Sequence, residues 1–251
     1  MSQADMTAAN PYAQFGRSVA DAPTDVRVQF IRKTYMHLAA AIYAFVALEW
    51  AMFTLLPVDE IVATLFGARW GMLALLGGFI AVSWIADRWA RSSVSPTQQY
   101  LGLSLYVVAE AIIFMPILYI AQSYAINVPA IGHVNVIAAA AVATLLLFGA
   151  LTAFVWISKA DFSFLRTGLF VAGIAAFALI IASMLFGWNL GIWFSVAMIA
   201  FACGWILYDT SNVMHVYQPG QHVAAALALF ASVALLFWYM LRLLMSFSSR
   251  D

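Results

Sequence analysis

Seven apolar runs, each near the length needed to cross a bilayer, constrain this chain more than any other feature. They fall at about 34–56, 70–86, 100–121, 134–157, 167–186, 190–208 and 223–245. A helix needs roughly 20 mainly apolar residues to cross the hydrocarbon core, where backbone polar groups must be satisfied within the segment. The runs are long and continuous rather than short and alternating, which argues against a transmembrane β-barrel. Their links are short, so successive helices should be antiparallel neighbours, with no soluble domain between them. The expected architecture is an all-α membrane protein, a seven-transmembrane helix bundle over residues 29–251. Residues 1–28 read as a polar, mostly disordered tail that gives way to helix near Thr24.

Composition narrows the function classes. Only 9% of the residues are charged, against about 25% in soluble domains. The formal net charge is zero, which argues against nucleic acid as a partner and leaves the lipid bilayer as the main one. The amino-terminal stretch lacks the basic region and apolar core of a signal peptide. Cys203, the single cysteine, reads as a small buried hydrophobe. The only lysines, Lys33 and Lys159, lie at the edges of runs, so no Schiff base to retinal can form within a span. No H-E-x-x-H, G-x-S-x-G, P-loop or Rossmann glycine pattern occurs. The chain is expected not to be an enzyme and to carry no cofactor. His215 and His222 flank Pro219-Gly220 at a spacing that suits no helical ligand pair, so no metal centre is expected.

Lys and Arg set the expected orientation. One side collects Arg17, Arg27, Arg32, Lys33, Arg88, Arg91, Lys159 and Arg166; the other collects Arg69, Arg242 and Arg250. The positive-inside bias places the amino terminus in the cytoplasm. Seven full crossings put the carboxyl terminus outside, whereas a last segment that dips in and returns keeps it inside. Arg242 lies deep for a simple crossing, which leaves both topologies open.

Ionisable residues inside spans are rare, and each is a functional candidate. Glu110 lies near the middle of the third run, too far from either end to reach water. It needs a cation, a donor network or a wet cavity, or else it stays protonated and bonds a neighbouring helix. Pro116, six residues on, frees the Ile112 carbonyl and is expected to kink the segment, for a site, a hinge or mere packing. Glu49 sits beside Trp50, an interface-loving residue, and reads as an interfacial structural carboxylate. Asp209 closes the sixth run. A carboxylate is disfavoured at a helix C-terminus, so either the helix continues to about Val216 or Asp209 has a purpose.

Three stretches resemble the Bax inhibitor-1 family and its bacterial YccA-like branch. They are "FIRKTYMHLAAAIYAFVAL" at 30–48, "KADFSFLRTGLFVAG" at 159–173 and, most specific, "WILYDTSNV" at 205–213. The likeness runs over about residues 28–245. It implies seven helices with the last one surrounded by the other six. It also implies a role in cation homeostasis: a pH-sensitive Ca²⁺ leak coupled to H⁺, or modulation of a membrane protease. In the family, Asp209's counterpart pairs with a second aspartate in the last helix, and two carboxylates sharing a site cannot both ionise cheaply. Here that position falls near Ser232, and no acidic residue occurs between Asp209 and Asp251. The family's pair is incomplete. Glu110 is the expected stand-in, with Arg88 or Arg91 as basic partners of Asp209. The leading expectation is a leak of Ca²⁺ or H⁺ across a bacterial inner membrane. The alternative is a non-transporting modulator that binds a membrane protease or stress or cell-death machinery.

Overall fold

The computed structural model describes residues 18–91, 95–128 and 132–250. Seven of its helices are long and apolar enough to cross a membrane. They are α1 (Thr24–Leu55), α3 (Gly71–Ala90), α4 (Pro96–Ala121), α5 (Val136–Ser158), α6 (Leu165–Phe186), α7 (Gly191–His215) and α8 (His222–Phe247). At 1.5 Å per residue each runs roughly 30–48 Å, enough for a 30 Å core. The helix α2 (Val58–Gly67) is too short to cross. It begins after Pro57, which ends α1, and rests Val58 and Val62 on Met115 at the bundle's end.

Several helix ends differ from the apolar runs, most of all at α1 and α7. α1 starts at Thr24, ten residues ahead of its run, because the amphipathic "DVRVQFIRK" segment buries Phe30 and Thr34 within the bundle. α7 runs on to His215, past the end of its run, because Thr210, Ser211, Asn212 and Val213 are all buried by protein rather than lipid. Asp209 therefore lies inside the helix and not at its end, so the unfavourable helix-dipole argument does not apply to it. Before α5, residues from Gly132 to Asn135 form a strand, and Asn135 caps the helix by accepting from the Ile137 amide at 2.7 Å.

The expected tail is only partly within the described residues; residues 1–17 lie outside them. Helix begins at Thr24, as expected, and residues 18–23 are docked rather than loose. A 3₁₀ turn at Val19–Asp21 docks on the basic end of the bundle, with Val19 fully buried. The Val19 amide donates to the Tyr217 carbonyl at 2.8 Å, and the Arg27 guanidinium donates to the Val19 and Ala20 carbonyls.

α8 is central, although five rather than all six of the other spans pack closely on it. It packs against α1, α3, α4, α5 and α7 and is, with α4, the most buried span. It crosses completely. His222 starts it beside His37 at the end rich in Lys and Arg, called here the basic end. After Phe247 the chain pairs Ser249–Arg250 (β3) with Tyr124–Val128 (β1) at the opposite end. β1 also pairs with β2 (Gly132–Asn135), so the antiparallel sheet has the order β2-β1-β3. The two chain ends of the described fold thus lie on opposite faces, which settles the dip-or-cross alternative in favour of a crossing.

α3 and α4 approach closely at Gly102, where an added Cβ would meet the Ala86 carbonyl oxygen at 2.5 Å and the Ala90 amide at 2.6 Å. Small residues let spans meet backbone to backbone. Gly102→Ala must push these backbones apart. It should destabilise the protein by about 1–3 kcal/mol, seen as a lower unfolding temperature in detergent. Gly149→Ala, which faces open space, should leave that temperature unchanged.

Candidate functional site

The pair α3/α4 and the pair α6/α7 are each packed internally but not on one another. Between them, over the surface of α8, is a crevice of about 1650 Å³. It runs from Asp87, Arg91 and Tyr217 at the basic end to Asn189 and Arg242 at the other. Three carboxylates (Asp87, Glu110, Asp209), three arginines (Arg91, Arg166, Arg242) and the hydroxyls of Ser83, Thr167, Ser183, Ser232 and four tyrosines interrupt a wall that is otherwise mainly apolar. In lipid such groups are expected only where they face a cavity or a partner.

Asp209 is buried at 6% exposure, and the Ser232 hydroxyl donates to its Oδ2 at 2.5 Å. α7 and α8 form the tightest helix pair in this part of the bundle, which fixes the two side chains face to face. Ser232 thus occupies the place where the resemblance puts a second carboxylate, and it supplies a donor instead of a charge.

Glu110 lines the same crevice and is hydrogen-bonded by Tyr106, one turn earlier on α4. Sequence reasoning passed over Tyr106, although the i, i+4 spacing that joins the two is visible in the sequence. Glu110 and Asp209 are therefore connected through one crevice but bonded to different hydroxyls. Glu49 is not part of it. It is buried at 7% exposure, and both its carboxyl oxygens lack a hydrogen-bond partner among the described residues. Trp50 is 71% exposed, so the interfacial reading fits the tryptophan and not its neighbour, which points inward.

The two candidate basic partners separate. Arg91 bonds Asp87 through Nε at 2.8 Å and also hydrogen-bonds Tyr217. Its charge reaches Asp209 without contact. The Asp87 carboxylate holds the guanidinium above its ordinary pKa, so Arg91 stays charged. Burial, then the charge of Asp209, push the Tyr217 phenol up, so it stays neutral at physiological pH. Arg88 instead lies over the exposed ring of Trp84, its guanidinium carbon 5.4 Å from the centroid, and does not line the crevice. It is not brought to Asp209.

Two residues past Asp209, Ser211 holds the loop between α5 and α6. Its hydroxyl accepts from the Phe162 amide at 3.0 Å and lies 3.4 Å from both the Asp161 carboxylate and His215 Nδ1. The Ser163 amide bonds Asp161 and, with weaker help from other groups, lowers its pKa. A lowered carboxylate stabilises the fold above its ordinary titration range and loses that contribution as pH falls through its depressed value. Ser211→Ala should therefore speed amide exchange at Phe162 about fivefold near neutral pH, corresponding to one lost hydrogen bond of about 1 kcal/mol. In the unaltered protein the same amide should stay protected until the pH drops below the ordinary aspartate range.

Among the described residues no group of three His, Cys, Asp or Glu side chains is placed to hold a metal ion. His215 bonds the Ser211 carbonyl at 3.0 Å and His222 stacks edge-on against His37, so the two are not brought together.

A family profile described as "Inhibitor of apoptosis-promoting Bax1" matches residues 27–249. The Golgi anti-apoptotic protein of vaccinia virus (strain Lister) is 28% identical over 234 residues, 92% of this chain and 90% of that protein. Bax inhibitor 1 of Schizosaccharomyces pombe is 26% identical over 238 residues, 93% of this chain and 82% of its own. Protein lifeguard 4 of Mus musculus is 34% identical over 103 residues, 40% of this chain and 43% of its own.

Proposed function

Since this chain belongs to the Bax inhibitor-1 family, we propose that it permits or regulates a pH-sensitive cation leak, with Ca²⁺ as the ion and H⁺ as its modulator. The observation that carries the reading is the crevice over α8, which holds Asp87, Asp209 and Glu110 and extends toward both ends of the bundle. Carboxylates in a low-dielectric groove concentrate cations. Sensitivity to pH resides in Asp209 and Glu110, because Ser232 adds no second charge beside Asp209. No catalytic step is part of the reading. The protein would sit in a bacterial inner membrane with its basic end toward the cytoplasm, following the Lys and Arg bias.

The test is Ca²⁺ entry into liposomes containing the purified protein, at pH 6 and at pH 8. The expected result is flux that differs between the two. Absence of flux at both pH values would overturn the reading. One observation favours a second reading, in which Ser232 in place of a second acid leaves this member the fold's regulatory surfaces without the sensor, acting through a membrane protease or cell-death machinery. Its relatives are named for anti-apoptotic action. Loss of a captured protease partner on deletion of residues 1–28, with no flux at either pH, would support it.

A further inference from the structure

We infer that the end of the crevice away from the basic face binds the headgroup of an anionic phospholipid, with Arg242 on the phosphate and the acyl chains lying in the opening between α3 and α6. The inference concerns the same crevice as the proposed leak but a different part of it, ten residues along α8 from Ser232, or about 15 Å.

Four observations lead there. The crevice is open to the side. Trp188, after α6 at the far end, lines it yet is 62% exposed, and Trp84 and Phe170, which line its basic half, are 63% and 64% exposed. An occupant can therefore enter from the bilayer, and the volume exceeds the 300–1,000 Å³ typical of small-molecule pockets. The charge is also asymmetric. At the basic end the lining arginines Arg91 and Arg166 are matched in number by Asp87 and Asp209, with Arg91 bonded to Asp87, and Glu110 adds a carboxylate near the middle of α4. At the far end Arg242 is the only charged lining residue. It has no carboxylate partner among the described residues, and its guanidinium carbon lies 5.9 Å from the Tyr239 ring centroid.

Depth fits as well. Arg242 is about 11 Å from the midpoint of α8, against a half-thickness of about 15 Å, so its guanidinium reaches the phosphate level by a short extension. The rim residues Trp188 and Asn189 are of the kinds that sit at a headgroup, aromatic and amide. Below them Leu76, Phe79 and Met184 give an apolar wall for the chains. A guanidinium forks onto phosphate oxygens, which makes an anionic glycerophospholipid the occupant this chemistry recognises.

The test is retention of lipid by the purified, delipidated protein after exposure to phosphatidylglycerol or phosphatidylcholine, read by native mass spectrometry. Phosphatidylglycerol should be held about tenfold more tightly, as expected of a charge-assisted contact. Arg242→Gln should abolish the preference. Arg69→Gln, which removes a charge from the same face but outside the crevice, should not. Ser183→Trp, which fills the lateral opening, should weaken retention of both lipids, and it tests the proposal even if the Arg242 variant does not fold. Equal retention of the two lipids by the unaltered protein would overturn the inference, as would equal effects of the two arginine variants. Because lipid retention is measured without ion flux, failure here leaves the leak reading standing, and the reverse also holds.

Discussion

Replacing Glu49 by methionine should raise the unfolding temperature of the detergent-solubilised protein by roughly 5 °C, the largest stabilisation expected from any single change in this chain. Both Glu49 carboxyl oxygens are buried and have no hydrogen-bond partner among the described residues, with Phe45 and Phe53, one turn to either side, packed against α4 and α8. A polar group in such a place is costly whether or not it carries a proton, and an apolar side chain of similar length removes the cost while keeping the volume. Replacement of buried charged groups by well-packed apolar ones commonly gains about 1–4 kcal/mol. Glu49→Gln makes the contrast, because an amide has the same shape and the same unmet needs. It should shift the temperature little. A methionine variant that melts below the unaltered protein would show that Glu49 has a partner that matters.

Asp209→Asn should lower cation flux through the crevice by about tenfold or more, the range over which charged clefts raise local cation concentration. The amide keeps the bond to Ser232 and the packing of α7 on α8, so the change isolates the charge. Ser232→Asp is the reciprocal variant. It restores a second carboxylate at bonding distance from Asp209, and two such groups share one proton over a wide pH interval. Flux in that variant should change with pH in two separated steps, where the unaltered protein changes in one at this position. Unchanged flux in Asp209→Asn would remove Asp209 from the path while leaving the crevice as one.

The seven spans were legible because run length is a local property: twenty apolar residues need lipid wherever they are placed. The end of α7 was not. Hydropathy marks where lipid contact ceases, and beyond Tyr208 the helix is covered by the amino-terminal turn, the α5–α6 loop and α8, which a local scan cannot register. The same limit explains Glu49. Successive helix positions point about 100° apart, so Trp50 faces lipid and Glu49 faces protein. Asp209, Glu110 and Ser232 were identifiable as polar residues in apolar runs, and Ser232 as the partner of Asp209 through the family likeness. The crevice itself arises from the lack of packing between two helix pairs distant in sequence, and no motif encodes it. Tyr106, Tyr217 and Asp87 acquire their parts only through it.

The order in which α8 is made bears on how the protein is born. The helix at the centre of the bundle is made after the other six spans, which must wait in the bilayer around a place not yet filled. During that interval Asp209 has no Ser232, and α1, α4 and α5 have no common surface to close upon. A nascent chain stalled before His222 would display its carboxylates to lipid and to quality-control proteases. Once α8 is in place it is fastened from the far side, where β3 joins β1 and ties residues made after α8 to a strand made more than a hundred residues earlier.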